Sequence, residues 1–414
     1  MTTILLLCIF ANKFVVIMEN IKWIHPKTKI GPPAEGDSYI RRQYINDEFW
    51  REINKGNHIL FTAPRRVGKT SIMKDLVTNC LSDYICRYEN IESYRNQKQF
   101  FKHLFNILLN QLHTFRKTKN KVSKWIKSRG IGEISIEGNI KFFKKELDYK
   151  DELLSLIEEL NKMDHKVVLF LDEFPEVVSS IKKNEGKEQA IDMLHTLRAI
   201  RQNENFSRFI LVLAGSIGLE QVVETLNRPK LINELHRIRI SPLSKDEAIQ
   251  LIKQLTDDAS MQIGKEQTNY ILKKIDILIP YFIQLIIEES DTILHKQNRT
   301  EVQKKDIDMA FDNIVKHDEN LQDWESRLKP PYLKKNDYGF CKEVLTICAF
   351  ENKISLQQIY NLANKWKQKD EYMKRIKMLE RDGYIVEESR FYLFVSPILQ
   401  EWWKRQHPEF EFEK

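Results

Sequence analysis

Eight consecutive residues, Ala63-Pro64-Arg65-Arg66-Val67-Gly68-Lys69-Thr70, close on Gly-Lys-Thr and are followed by Ser71. That spelling suits a polyphosphate. Gly68 lets the backbone approach phosphate oxygens, while loop amides and a following helix N-terminus supply positive dipole. Lys69 can bridge the β- and γ-phosphates, and Thr70 can offer its hydroxyl to magnesium. The expected nucleotide contacts are Ala63, Pro64, Arg65, Arg66, Val67, Gly68, Lys69, Thr70 and Ser71, with Thr70 also a metal ligand. Ala63 stands where such loops usually begin with glycine, a change of little bulk.

Further along, Val167-Val168-Leu169-Phe170-Leu171 is an unbroken apolar run that ends in Asp172-Glu173. Two carboxylates at the C-terminal tip of a buried strand stand where open α/β sheets bind their ligands. Asp172 would hold magnesium, directly or through water, and Glu173 would polarise a water toward the γ-phosphate. Leu211-Val212-Leu213-Ala214-Gly215-Ser216 repeats the pattern, so Ser216 could touch the γ-phosphate or the attacking water, or could be an ordinary turn serine. Arg228, Arg237 and Arg239 are candidates for the positive charge that stabilises phosphoryl transfer, from within the chain or from a neighbouring subunit.

Positioning these groups requires a strand, a loop and a helix in that order. Residues 58–62 read as a short buried strand and 71–81 as a helix, the opening of a βαβ unit. Strands at 84–88, 167–171 and 209–213 alternate with helices at 100–115, 151–163 and 190–201, and 131–142 alternates like a hairpin insertion. The fold class is therefore α/β, with a parallel P-loop sheet as its core. Beyond Pro242 the pattern turns helical. Ser244 and Glu247 form a capping box, and helices at 267–277, 280–296 and 303–316 would make a helical lid. Pro330-Pro331 breaks the chain. Helices at 341–350, 355–365 and 371–381 with a hairpin at 384–395 then follow the order of a winged helix. The expected domains are a tail at 1–35, a P-loop domain at 36–241, a lid at 242–328 and a winged helix at 329–414.

Five strings in order, residues 62–71, Leu171-Asp172-Glu173-Phe174, Ala214-Gly215-Ser216, Ser241-Pro242-Leu243-Ser244 and Pro280-Tyr281-Phe282-Ile283-Gln284, resemble the archaeal-type P-loop ATPases of the STAND and AAA+ branch. The resemblance implies an ASCE core followed by a lid and a winged helix. It implies ATP and Mg2+ as cofactors, with Lys69 and Thr70 on phosphate and metal, Asp172 and Glu173 as the Walker B pair, and Ser216 as the sensor. It places Tyr39-Ile40-Arg41-Arg42 near the adenine. Where that family often carries Gly-x-Pro at the lid, this chain has Leu278-Ile279-Pro280.

The 414 residues carry 42% hydrophobic and 30% charged side chains with 13 Gly and 12 Pro, the composition of a folded chain rather than a disordered or fibrous one. The net charge of +7 permits a nucleic-acid partner without requiring one. The densest basic run is Arg116-Lys117-Thr118-Lys119-Asn120-Lys121, continued by Lys124, Lys127 and Arg129 around Trp125, and it suits either phosphates or a solvated helix. Lys365, Lys367, Lys369, Lys374, Arg375 and Lys377 surround the expected recognition helix, which could meet DNA or a protein, while Trp402 and Trp403 read as packing. Self-association remains open. Cys8, Cys80, Cys86, Cys341 and Cys348 form no CxxC pair and read as reduced thiols of a cytoplasmic protein. The apolar stretches before Met18 are too short and too broken for a membrane span, and translation is expected to start at Met18. The chemistry points to an ATP-hydrolysing switch; a DNA-binding regulator or a scaffold with a structural nucleotide is the alternative.

Overall fold

The computed structural model describes residues 22–114, 119–130, 132–134, 140–142, 147–162, 164–215, 218–317, 321–329 and 333–408. The leader before Met18, the first part of the basic run, Ser216 and Pro330-Pro331 lie outside these residues. Strands β1 (Ile59–Thr62), β2 (Tyr84–Asn90), β3 (Gly132–Ile134), β4 (Ile140–Phe142), β5 (Lys166–Asp172), β6 (Phe209–Gly215) and β7 (His236–Arg239) precede the helical half of the chain. Five of them form one parallel sheet in the order β2-β5-β6-β1-β7, and β3 and β4 pair as a separate antiparallel hairpin.

The continuous apolar runs of β5 and β6 follow from burial on both faces, as helices cover a parallel sheet on each side. Alternate residues divide between two cores. Phe61, Val168, Phe170 and Val212 belong to one, and Leu60, Leu169, Leu171 and Leu213 to the other. The second core lies under the helices Gln97–Thr114, Tyr149–Leu160, Phe174–Glu185 and Lys187–Gln202. The first continues into the later part of the chain without interruption.

That later part begins where Ser244 and Glu247 form the expected capping box on the helix Lys245–Thr256. Helices Lys265–Ile275, Pro280–Lys296 and Lys304–His317 complete a helical block. A short helix, Gln322–Ser326, leads to a C-terminal block of helices Lys335–Glu351, Leu356–Lys365 and Tyr372–Arg381 with strands β8 (Ile354–Ser355), β9 (Ile385–Glu388) and β10 (Phe391–Phe394). β10 lies between β8 and β9. Trp402 and Trp403 sit buried on a last helix, Pro397–Gln406, where the Trp403 ring nitrogen donates to Thr346 Oγ1 at 3.0 Å.

Several elements escape the sequence reading. The helix Phe174–Glu185 starts directly after Glu173, β7 is an edge strand with charged residues at every second position, and the last helix, Pro397–Gln406, follows the hairpin; Lys119–Ser128 is a helix, the solvated-helix alternative for the basic run. Trp125 and Ile126 on that helix are buried while Lys121, Lys124 and Lys127 are exposed, so within the described residues its basic side chains form a solvated face. The cysteine reading needs a correction. Cys80 and Cys86 form a disulfide, because the turn between the helix Lys69–Thr78 and β2 brings their Cα atoms to 6.1 Å. Cys341 and Cys348 are free and buried, and burial pushes both thiols up to about 12.

Candidate functional site: a phosphate loop at the sheet edge

Parallel pairing brings the strand tips together. Thr62 aligns with Gly215 across β1 and β6, Leu171 with Leu213 across β5 and β6, and Asn90 with Asp172 across β2 and β5. The chain leaves β1 into residues 63–68 and enters the helix Lys69–Thr78 from Gly68, whose φ of 96° is left-handed. Glycine takes that conformation at no steric cost, and no heavy atom lies within 4 Å of where a Cβ would stand. The loop is therefore open on the side from which a phosphate would approach. Val67 turns into the core and is 1% exposed.

Thr70 and Asp172 meet although they are far apart in sequence. Thr70 Oγ1 donates to Asp172 Oδ2 at 2.7 Å, and the Tyr88 hydroxyl on neighbouring β2 donates to the same oxygen at 3.3 Å. Burial, then the Asp172 charge, pushes the Tyr88 phenol well above its usual range, so it stays a donor. Lys69 Nζ lies 3.4 Å from Asp172 Oδ1 and 3.7 Å from Glu173 Oε1. A hydroxyl and a carboxylate converging on one point are hard oxygen ligands of the kind magnesium takes, so these residues fit that ion. Glu173 has φ 60° at the start of the helix Phe174–Glu185, a strained position for a non-glycine residue of the sort found at functional sites.

These groups open into a cavity of about 310 Å³. Ala63, Pro64, Arg65, Arg66, Gly68, Lys69, Thr70, Ser71 and Glu173 line one side of it. The other side was not identified from sequence: Lys29, residues 31–34, Pro280, Tyr281, Gln284 and Arg327. Gln284 joins two parts of that wall, its Oε1 accepting from the Lys29 amide at 2.6 Å and its Nε2 donating to Ser38 O at 3.3 Å. Arg66 crosses the opening with its guanidinium 4.6 Å from the Tyr281 ring centroid.

Other expectations fall elsewhere. None of residues 39–42 lines the cavity; Arg42 is buried and donates to the carbonyls of Ser241 and Pro242 at 2.7 and 2.9 Å, which ties the sheet to the helical block. Arg228 donates to its neighbour Asn227 O at 3.2 Å, Arg237 pairs with Glu220 at 3.4 Å, and Arg239 lines a different cavity. All three are absent from the phosphate-loop cavity. Ser216 follows the tip of β6 and lies outside the described residues.

A family model of ATPase domains found predominantly in Archaea matches residues 48–277, more than half of the chain and all of the sheet and phosphate loop. The chain belongs to this family. It is an ATPase whose phosphate loop stands at the edge of a parallel five-stranded sheet. Solved structures agree on the fold. The Walker-type ATPase PABY2304 of Pyrococcus abyssi is 14% identical, with 91% of this chain and 99% of that one covered at a TM-score of 0.61. The ORC2 protein of Aeropyrum pernix, in ADPNP and ADP complexes, is 12% identical over 94% of this chain and 98% of its own, at a TM-score of 0.51. No curated protein sequence matches. No described helix of the ATPase is long and apolar enough to cross a membrane.

Proposed function

We propose that the ATPase binds ATP with magnesium in the phosphate-loop cavity and works as a nucleotide-gated switch whose output is the C-terminal block. Lys69 and the loop amides hold the phosphates, Thr70 and Asp172 hold the metal, and Glu173 takes a proton from the attacking water. The metal, when bound, neutralises charge on the phosphate oxygens. Water oxygen bonds to the γ-phosphorus, the bond to the β–γ bridging oxygen breaks with its electron pair on ADP, and phosphate leaves. Ser216, the residue after β6, is kept as the sensor of that phosphate.

The observation that carries the switch is that both later parts of the chain touch the loop. Residues 242–328 act as a lid through Tyr281 and Gln284. Residues 329–414 have the helix and hairpin order of a winged helix, and their Gly383 corner packs on Pro64 and Arg65. In this arrangement the end of the helix Tyr372–Arg381 meets the helix Leu219–Thr225, with Arg381 Nη2 donating to Gln221 Oε1 at 2.8 Å. A DNA or protein partner that reads the helix Tyr372–Arg381 needs it released, which phosphate-dependent movement of the loop would supply. Self-association would present a second copy to the same surface.

The test is magnesium-dependent turnover beside Lys69→Ala and Glu173→Gln, with nucleotide binding followed in parallel and protease sensitivity of the C-terminal block compared in ADP and in a non-hydrolysable ATP analogue. Lys69→Ala should lose binding, Glu173→Gln should bind without turnover, and the block should become more accessible with the ATP analogue. Identical cleavage in both nucleotides would remove the switch and leave the ATPase. Binding without wild-type turnover, joined to salt-dependent DNA binding, would favour the regulator with a structural nucleotide.

A further inference from the structure

Three arginines line the nucleotide cavity: Arg65, Arg66 and Arg327. Arg66 lies over Tyr281, and the Arg65 guanidinium faces the Trp324 ring at 5.9 Å. The first turn of the helix Pro280–Lys296 offers Pro280, Tyr281 and Gln284 to the cavity, none of them charged. The helical block therefore brings no cation of its own to the phosphates from that turn.

Arg327 comes from the connection between the helical block and the C-terminal block, and its backbone is anchored on both sides. Trp324, 1% exposed, meets the Tyr384 ring edge to face at 5.2 Å and accepts the Tyr384 hydroxyl on its carbonyl. Leu328 is buried. Two carboxyl groups register the Arg327 charge, Glu176 and Asp382. Glu176 stands on the first turn of the helix that starts after Glu173, and Arg327 lines the nucleotide cavity together with Glu173 itself. Arg327 also lines a second cavity of about 470 Å³, between that helix and Asp382 and Tyr384 of the C-terminal block.

We infer that Arg327 is a catalytic residue that contacts the γ-phosphate of bound ATP from within the chain, and that its segment carries this contact to the C-terminal block. The inference rests on the ATPase reading above. During hydrolysis Arg327 keeps its proton and neutralises charge on the transferring group while water adds to phosphorus, Glu173 takes the water proton and ADP departs with the bond pair. A guanidinium suits that task because its planar fork meets two phosphate oxygens at once.

The experiment compares wild type, Arg327→Ala, Arg327→Gln and Arg327→Lys in magnesium-dependent turnover and in equilibrium displacement of a fluorescent ADP by ADP and by a non-hydrolysable ATP analogue. Arg327→Ala should lower kcat on the order of a hundredfold or more, in the range of other arginines that act on phosphoryl transfer. ADP affinity should stay within about twofold of wild type while the ATP analogue weakens about tenfold, the size of one lost charged contact. Arg327→Lys should restore part of the analogue affinity. An unchanged preference for the analogue over ADP, or equal weakening of both, overturns the inference by assigning Arg327 to the scaffold. Arg327→Gln carries the same readout should the alanine variant not fold, and failure of both to fold also makes the role structural. Wild type that binds no nucleotide would instead overturn the ATPase reading, so the two failures are distinct.

Discussion

Gln284 tests whether residues 29–34 are a working wall of the nucleotide cavity. Its side chain is 4% exposed and makes one hydrogen bond in each direction, from the Lys29 amide at 2.6 Å and to Ser38 O at 3.3 Å. Gln284→Leu keeps the volume and removes both, at a net cost of about 2 kcal/mol for two such bonds. If the whole of that energy holds the wall in place, nucleotide affinity falls by roughly thirtyfold, since about 1.4 kcal/mol is tenfold. That figure is an upper bound, because Lys27 N also bonds Leu255 O at 2.9 Å and Arg66 reaches Gly31 O at 3.5 Å. Gln284→Glu keeps the acceptor for Lys29 and loses the donor to Ser38, so it should fall between wild type and the leucine variant. The assay is equilibrium titration with a fluorescent ADP, beside urea unfolding of the nucleotide-free protein. Were the leucine variant to lose about 2 kcal/mol of stability and still bind within twofold of wild type, the wall would not depend on this tether and the reasoning would fail.

Two further expectations concern the scaffold. His58 enters β1 with its Nδ1 accepting from the Leu211 amide at 3.0 Å, and burial, aided by the Arg201 charge, pushes its pKa down to about 3. The unfolded chain takes up that proton near pH 6.5 and the folded one does not, so stability should fall as pH drops below 6.5, by about 2 kcal/mol at pH 5. His58→Asn retains an acceptor without titrating and should flatten that limb of a urea-denaturation series; a limb of unchanged slope would exclude His58 as its source. At Gly383, φ is +76° and a Cβ would stand 3.4 Å from Arg65 N and from the Trp324 ring. Gly383→Ala should cost about 1–2 kcal/mol for the left-handed backbone alone, measured by urea unfolding, and an unchanged midpoint would mean the corner is not held in that conformation.

What the sequence revealed about the site was its contiguous half. Residues 63–71 and Asp172-Glu173 are each contiguous along the chain and follow apolar runs whose continuity marks buried strands. β7 gives no such signal, because alternate residues of an edge strand face solvent and read as surface: His236, Arg237 and Arg239 interrupt the pattern. That is also why Arg237 and Arg239 looked free to act as catalytic cations; on the edge strand beside β1 neither lines the loop cavity, Arg237 pairing with Glu220 and Arg239 lining a separate cavity. The helix Phe174–Glu185 was masked by its own start, since Glu173 has a left-handed backbone and Pro175 sits in the first turn. The other wall of the cavity is assembled from residues 29–34, 280–284 and 327, whose meeting depends on the packing of the helical block over the sheet edge. Traces of it were present in the Pro-Gly entry at 31–36 and in Pro280-Tyr281-Phe282-Ile283-Gln284.

Arg327 left no trace of that kind, and the reason is physical. A phosphate loop must be spelled in one stretch because backbone amides do its work, so its geometry and its sequence coincide. A guanidinium that reaches the same phosphates needs only a rigid base, and here that base is Trp324, wedged between Arg65 of the loop and Tyr384 of the C-terminal block. The same wedge that makes Arg327 invisible to a sequence pattern is what joins it mechanically to both ends of the proposed switch. A change in the position of the loop on binding the γ-phosphate therefore has a short route, Arg65 to Trp324 to Tyr384, along which each step is a packed ring contact rather than a flexible linker. Interfaces packed in this way change between discrete arrangements instead of deforming gradually, so gating of the C-terminal block should be all-or-none in nucleotide state, with two protease-digestion patterns and no intermediate one.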